Sequence, residues 1–198
     1  AYTSSSGYPT FFGNYWRQDW SQMVYTASEL QAMGLSEGDI TSLVFNIGAV
    51  PSPTTINGYS ISLGATANNT LSDFETTALT TVFGPVDYSV AASGDITITF
   101  STPFNWDGTS NIIIDVRGSG AFGSANATTQ YSTTTGNTVV YAYTSSNNST
   151  FWTSNPSATT STRRPNVKFG GQILSDTTAD YTWTWSDGTS TVLTAASG

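Results

Sequence analysis

The chain has 198 residues, but only 9% of them are charged, and its formal net charge is −8. A negative field of this size repels a phosphate backbone, so the composition argues against nucleic-acid binding. The sequence has no polybasic stretch that would attract an anionic membrane, and no apolar run approaches the roughly 20 residues of a membrane-spanning helix. We therefore expect neither nucleic acid nor the membrane interior as a partner.

The absence of histidine and cysteine restricts the chemistry further. Ser-His-Asp and Cys-His nucleophiles are impossible, and zinc sites built on His or Cys are excluded. A pair of carboxylates, as in glycoside hydrolysis, is the one catalytic route left. Asp73 and Glu75 could form such a pair, although we prefer to interpret them as solubilising an exposed connection. We therefore expect a protein without enzymatic activity.

Aromatic and β-branched residues are frequent enough to build a buried core, since aromatic residues alone make up 13% of the chain. The length suits one domain with a short appendage. With so few charges, the surface must be wetted mainly by Ser, Thr, Asn and Gly. This acidic, lysine-poor and hydroxyl-rich balance is typical of an exported protein, so we expect an extracellular location.

An aromatic cluster, FFGNYWRQDW, occupies residues 11–20. If these rings are exposed, they offer a surface on which sugars can stack. If they are buried, they form one wall of a sandwich, which we favour because large aromatic residues are usually buried. A strand is predicted next over 22–27. Residues 27–34 predict one or two helical turns, with Ser28 as a cap and Gly34 at the end.

The remainder of the chain to residue 171 reads as short strands separated by turns. In DITITF (95–100), apolar residues alternate with polar ones, which is typical of a strand with one buried and one wet face. The run IIIDV (112–116) is apolar and β-branched, which favours a buried strand. About nine such strands predict an all-β fold, an antiparallel β-sandwich over residues 1–171. The predicted core includes Ile96, Ile98, Phe100, Ile112, Ile114 and Val116.

Five segments between residues 11 and 171 resemble a known repeat module, in order and in spacing. They read MVYTASEL, MGLSEGDITSLVFNIG, YSISLGAT, FSTPFNWDGTSNIIIDV and RRPNVKF. The module recurs in very large secreted and surface proteins that Gram-negative bacteria export by type IX secretion. The resemblance implies a jelly-roll-like sandwich outside the cell, within an adhesin or a secreted hydrolase. Its motifs are structural, so it implies no ligand residues.

The tail, residues 172–198, departs from this module. Tyr181, Trp183 and Trp185 alternate with threonines, and the Asp-Gly pair at 187–188 predicts a hairpin. The pattern resembles the opening strands of an immunoglobulin-like or PKD-like repeat. We therefore expect a linker followed by the start of a further domain, and a chain that is a fragment of a longer protein.

The motif NWDGTSN offers oxygen ligands at a turn. Asp107, flanked by Asn105 and Asn111, supplies the hard oxygen donors that calcium prefers, so we expect calcium if a metal ion is bound. The alternative is an ordinary Asp-Gly turn, since the spacing of an EF-hand loop is missing.

Three loop aromatics are candidates for sugar binding. Trp106, Phe151 and Trp152 lie beside turns, and aromatic rings in loops can stack on the apolar faces of sugars. The alternative is that Trp106 closes one end of the core. Arg17, Arg117 and Glu29 lie on or beside strands, and we interpret them as members of partly buried ion pairs.

Three classes of function therefore stay open. The first is a non-catalytic module of a bacterial cell-surface adhesin, which binds a glycan or polymeric surface weakly and contacts neighbouring domains of the same polypeptide. The second is a carbohydrate-binding module attached to a secreted hydrolase. The third is a structural spacer in a surface stalk. Exposure of the loop aromatics distinguishes the first two classes from the third.

Overall fold

The computed structural model describes residues 1–4, 7–120, 122–154, 156–171, 181–184 and 190–193. Within these ranges the chain consists mainly of antiparallel strands, with one helix, α1 (Ala27–Ala32). Its two principal sheets confirm the predicted all-β sandwich. No helix in these ranges is long and apolar enough to cross a membrane.

Twelve strands precede residue 172 in the described ranges. In chain order they are β1 (Gln18–Tyr25), β2 (Gly38–Ala49), β3 (Thr55–Thr66), β4 (Thr80–Ser89), β5 (Gly94–Trp106), β6 (Asn111–Ser119), β7 (Thr128–Thr129), β8 (Tyr131–Thr133), β9 (Val139–Thr144), β10 (Thr159–Ser161), β11 (Arg163–Pro165) and β12 (Val167–Gly171). The larger sheet has the spatial order β10-β9-β1-β6-β3-β4. The facing sheet has the order β12-β2-β5, with β7 also paired to β2, and β8 pairs separately with β11.

Strand β6 is the centre of the larger sheet and is buried on both faces. It pairs with β1 on one side and with β3 on the other, so that Ile114 lies opposite both Met23 and Leu63. Ile112, Ile113 and Ile114 are each fully buried. A strand that is apolar on consecutive positions must be covered on both faces, and here two separate apolar layers cover it.

The main core lies between the two sheets and contains the residues that the sequence predicted. Ile98, Phe100, Ile112, Ile114 and Val116 are all buried there. Ile96 is half-buried and packs against the same core. The period-2 alternation of β5 therefore gave the correct inward face.

A second apolar cluster covers the outer face of the larger sheet. Trp20, Val24 and Ile113 project from the strands into this cluster. Two long connections cover this face: one carries Leu71 and Phe74, and the other carries Phe151. The buried members of the cluster are Trp20, Val24, Leu71, Phe74, Ile113, Val140, Ala142 and Phe151. The connections are therefore part of the folded core rather than free loops.

The N-cap of the helix lies two residues earlier than the sequence indicated. Thr26, not Ser28, is the N-cap: its Oγ1 accepts a hydrogen bond from the Glu29 N–H at 3.3 Å, and Glu29 Oε2 accepts one from the Thr26 N–H at 2.9 Å. This reciprocal pair is a capping box, which satisfies two donors that a helix N-terminus leaves unpaired. Ser28 follows within the first turn, where it cannot perform that role.

The tail forms a hairpin, as its alternation predicted. Strands β13 (Tyr181–Thr184) and β14 (Ser190–Leu193) pair antiparallel, with Tyr181 opposite Leu193. The predicted Asp-Gly turn at 187–188 and Trp185 lie outside the described residues.

The double burial of β6 gives a stability prediction. Replacing Ile114 by alanine should cost about 2–5 kcal/mol of unfolding free energy, because it removes buried methyl groups and leaves a cavity. Thr99→Ala, on the exposed face of β5, is the control and should change the free energy by less than about 0.5 kcal/mol. Urea unfolding followed by fluorescence measures both, and equal effects would contradict this description of the core.

Candidate functional site

Trp106 closes one end of the sandwich and is not an exposed platform. Only 1% of its surface is accessible, and its indole N–H donates to the Ser110 carbonyl at 2.8 Å. The ring is part of the main core, where a buried indole needs such a partner for its nitrogen. Its predicted role in sugar stacking is therefore corrected: this ring is used for folding.

Phe151 and Trp152 also turn inward. Phe151 is 4% exposed within the outer apolar cluster, and Trp152 is half-buried against it. The connection that carries both is fixed to β1 by two hydrogen bonds between the Gln18 side chain and the Asn148 backbone, at 3.0 and 2.8 Å. These rings cover the outer face of the sheet, so the structure does not present them as a sugar-binding pair.

Asp107 organises the turn between β5 and β6. Its Oδ1 accepts hydrogen bonds from the backbone N–H groups of Thr109 and Ser110 at 2.8 and 2.7 Å, and its Oδ2 accepts one from the Ser110 hydroxyl at 2.6 Å. The Ser110 contacts are the main reason why the pKa of Asp107 is lowered to about 2. A carboxylate used in this way is the hallmark of an Asx turn.

The two asparagines of the calcium hypothesis are also engaged elsewhere. Asn105 donates from Nδ2 to Asp39 Oδ1 at 3.0 Å. Asn111 accepts from the Ala27 N–H at 2.8 Å and donates to the Asn68 carbonyl, so it ties the turn to the start of α1. In the described ranges no group of three acidic side chains is placed to hold a metal ion. The contacts at Asp107 favour the turn over the ion site; that any bound metal ion would be calcium stays a prediction.

Asp107 can be tested as a turn residue. Asp107→Ala should lower Tm by about 2–4 °C, because three hydrogen bonds of the turn lose their acceptor. Glu37→Ala is a matched control, since Glu37 is an exposed carboxylate beside the same turn. Adding calcium or a chelator should leave the wild-type Tm unchanged. A rise in Tm with calcium that disappears in Asp107→Ala would instead establish the ion site.

Asp73 and Glu75 lie on the connection between β3 and β4, beside an open cleft of about 510 Å³. Asp73 Oδ1 accepts from the Phe74 N–H at 2.7 Å, and the Phe74 ring stacks on Trp20 with centroids 3.8 Å apart. Gln22 bonds both the N–H and the carbonyl of Glu75, at 2.7 and 3.1 Å. These contacts anchor the connection over the sheet, and the Glu75 carboxylate accepts a hydrogen bond from the Asn68 side-chain amide.

Two of the three predicted ion-pair residues are paired. Arg117 contacts Asp115 at 2.8 Å, and Arg164 contacts Glu29 at 2.5 Å while its guanidinium lies over the Tyr25 ring at 4.3 Å. Arg17 is different, since its guanidinium lies 5.6 Å from the centre of the Phe122 ring. This cation–π contact lies at the end of the sandwich where β1 begins.

The Glu29–Arg164 pair predicts sensitivity to acid. The hydrogen bond from Arg164 is the main cause that lowers the pKa of Glu29 to about 2, against an ordinary value of 4.5. A lowered folded-state pKa stabilises the fold above the unfolded value, and this contribution is lost as pH falls from about 4.5 through 2. Glu29→Gln should therefore reduce the loss of Tm over this window, whereas Glu37→Gln should not. Identical pH profiles for wild type and Glu29→Gln would contradict the assignment.

A group of aromatic rings converges at that same end of the larger sheet. We call it the aromatic surface, and it consists of Tyr8, Trp16, Phe122, Tyr141 and Tyr143. Phe122 is 49% and Tyr143 44% exposed, and the other three are half-buried. Exposed large aromatic residues clustered on one surface are unusual for a soluble domain and mark contact sites.

Four of the five rings of the aromatic surface are stacked on one another, and Phe122 is tilted against them. Trp16 stacks on Tyr143 with centroids 4.8 Å apart and planes 8° apart. Tyr8 stacks on both Tyr143 and Tyr141, at 5.0 and 5.3 Å. The Trp16 and Phe122 centroids are 6.0 Å apart at a tilt of 49°. Mutual stacking fixes the rings in place, so little side-chain entropy is left to lose when a ligand binds.

The sheet topology explains this convergence. Strand β1 begins where its antiparallel neighbours β6 and β9 end, and Asp19 lies opposite both Gly118 and Tyr143. Trp16 therefore precedes β1 at the same edge at which Phe122 follows β6. Phe122 has φ of 55°, in the left-handed region that bulky residues seldom occupy. Backbone strain of this kind persists where the surroundings impose it and often accompanies function.

One ring of the aromatic surface was visible as a candidate in the sequence. Trp16 belongs to the aromatic cluster at 11–20, for which exposed rings were the less favoured alternative, and the structure divides that cluster. Phe11, Phe12 and Trp20 are buried, whereas Trp16 is not. Tyr141 and Tyr143 are two residues apart on β9 and therefore share a face, a spacing that is visible in the sequence.

Comparison with protein-family models, with curated proteins and with solved structures finds no match for this chain. The function must therefore be inferred from the geometry of the site itself.

Proposed function

We propose that this chain is a non-catalytic extracellular module that binds glycan surfaces weakly through the aromatic surface at one end of its sandwich. The observation that supports the proposal is the set of stacked, partly exposed rings at Trp16, Tyr143 and Tyr8. The resemblance to modules exported by type IX secretion supports the extracellular location and the setting in a cell-surface adhesin.

The chemistry of the aromatic surface suits a carbohydrate. The C–H faces of pyranose rings pack on aromatic rings, and tyrosine hydroxyls can bond the sugar hydroxyls at the edges. Stacked single-stranded nucleic acid would use similar rings, but it also needs a positively charged groove. A chain with net charge −8 and one arginine beside the rings does not supply such a groove.

Weak binding by one module is compatible with firm adhesion by many. A small aromatic patch buries little area, so its affinity should be modest. Repeated modules on one polypeptide raise the effective concentration, and avidity can then exceed single-site affinity by roughly 10²-fold or more. The same surface would serve a carbohydrate-binding module that holds a hydrolase on its polymer, which is the second form that this proposal can take.

The proposal is tested by substituting two rings of the aromatic surface. Trp16→Ala and Tyr143→Ala should each weaken binding in a glycan array and in pull-downs on cellulose and chitin by about tenfold, or ~1.4 kcal/mol. Trp16→Ala removes a stacking face, and Tyr143→Ala removes the ring on which Trp16 and Tyr8 are stacked. Tyr2→Ala is the matched control, since Tyr2 is 48% exposed but contacts Asn46 on the facing sheet. Trp106 is unsuitable because its loss would damage the core.

Two outcomes would contradict the proposal. Absence of binding by the wild type, singly and in tandem, would favour the structural spacer. Binding that collapses in high salt would show that charge rather than stacking holds the ligand.

A further inference from the structure

A small cavity of about 10 Å³ lies in the core at the end of the sandwich that carries the aromatic surface. Asp19 of β1 and Tyr59 of β3 both line it, together with Thr10, Ser21 and Gly13. Asp19 is 6% exposed and Tyr59 1% exposed. Polar groups from three separate parts of the chain therefore meet around a small space lined by buried residues.

Two of the residues that line this cavity each carry a buried side-chain oxygen with no hydrogen-bond partner within the described part of the chain. These oxygens are Asp19 Oδ2 and Tyr59 Oη. An unpaired buried polar atom destabilises a fold, so folded proteins rarely tolerate two of them close together. A small polar ligand that contacts both atoms would remove this destabilisation.

The size of the cavity limits which ligand can fit in it. A volume of roughly 10–15 Å³ on this measure accommodates one water molecule, which needs two to four polar partners. Water can donate to one group and accept from the other, so it suits a carboxyl beside a phenol. Any larger ligand would overlap the walls.

Gly13 shows that the space beside the carboxyl is tightly defined. A Cβ atom placed at Gly13 would lie 2.6 Å from Asp19 Cγ and 2.7 Å from Asp19 Oδ2. Real side chains do not approach so closely, and a glycine here leaves the Asp19 carboxyl in place. The backbone is thus shaped around this group.

We propose that the cavity holds one ordered water molecule, which bridges Asp19 Oδ2 and Tyr59 Oη. The other carboxyl oxygen, Oδ1, accepts a hydrogen bond from the Tyr8 hydroxyl. The chain of bonds therefore runs from Tyr59 in the core, through the water and Asp19, to Tyr8 in the aromatic surface. Asp19 acts as a positioning residue for Tyr8.

The electrostatics agree with this arrangement. Desolvation raises the pKa of Asp19 well above its usual range, so the neutral acid is favoured. The neutral acid carries one proton on a carboxyl oxygen, and with that proton on Oδ2 it donates to the water while Oδ1 accepts from Tyr8. Burial likewise raises the pKa of Tyr59, so its hydroxyl keeps its proton.

A double-mutant cycle between Asp19 and Tyr59 tests the bridge. Tyr59→Phe and Asp19→Ala should each lower the folding equilibrium constant about tenfold, because the water loses one of its partners; asparagine is not used at position 19, since its amide donates and accepts as the neutral acid does. The double variant should lose clearly less than the product of the two single effects, since the second change removes a bond already broken. Urea unfolding supplies the equilibrium constants.

Tyr88→Phe is the matched control. Tyr88 stacks on Tyr59 with centroids 5.5 Å apart but is half-buried and does not line the cavity. Removing the Tyr88 hydroxyl should leave the folding equilibrium constant nearly unchanged. If Tyr59→Phe is neutral or stabilising, the hydroxyl was unpaired and the bridge is overturned; multiplicative single effects in the double variant would overturn it equally.

A crystal structure that resolves ordered waters gives a second readout. One peak within hydrogen-bond distance of both Asp19 Oδ2 and Tyr59 Oη is expected, and its absence would overturn the proposal. The role of Tyr8 in binding rests on the proposed function, but the water does not. Stability and electron density therefore separate a failure of this inference from a failure of glycan binding.

Discussion

The burial of β6 on both faces is the constraint on which the rest of this structure depends. Ile112, Ile113 and Ile114 follow one another, so consecutive side chains enter opposite faces of the sheet. If a sheet covered only the inner face, Ile113 would be exposed to water on the outer face. At about 1.5–3 kcal/mol for each buried large aliphatic side chain, neither face can be left open without a large loss.

Covering the outer face of the larger sheet determines which aromatic residues stay near solvent. The facing sheet covers the inner face, whereas the outer face has only connections to cover it. Phe74 and Phe151 are drawn onto that face, and Trp106 closes the far end of the core. The rings of the connections that cover this face are therefore structural. The rings left near solvent lie at the end where β1 begins, beside Tyr143.

Local patterns in the sequence predicted what local geometry decides. Alternation over residues 95–100 gave the inward face of β5, and the Asp-Gly signal gave the turn at Asp107. The same patterns could not show that Trp106 and Phe151 are buried, because burial depends on which sheet face lacks a cover elsewhere in the chain. The contact between Trp16 and Tyr143 depends on the register of β1 with β9, a long-range pairing without a local signature. The buried carboxyl of Asp19 was missed for the same reason.

We propose that ligands bind at the aromatic surface and not at the loop tryptophans. The chain has six tryptophans, and each indole N–H gives its own signal in a ¹H–¹⁵N spectrum. The most direct measurement is a titration of the labelled protein with the glycan that binds best on the array. If the ligand binds at the aromatic surface, the Trp16 signal should shift progressively, and the signals of Trp106 and Trp152 should stay fixed. A shift of Trp152 with Trp16 unmoved would contradict this proposal.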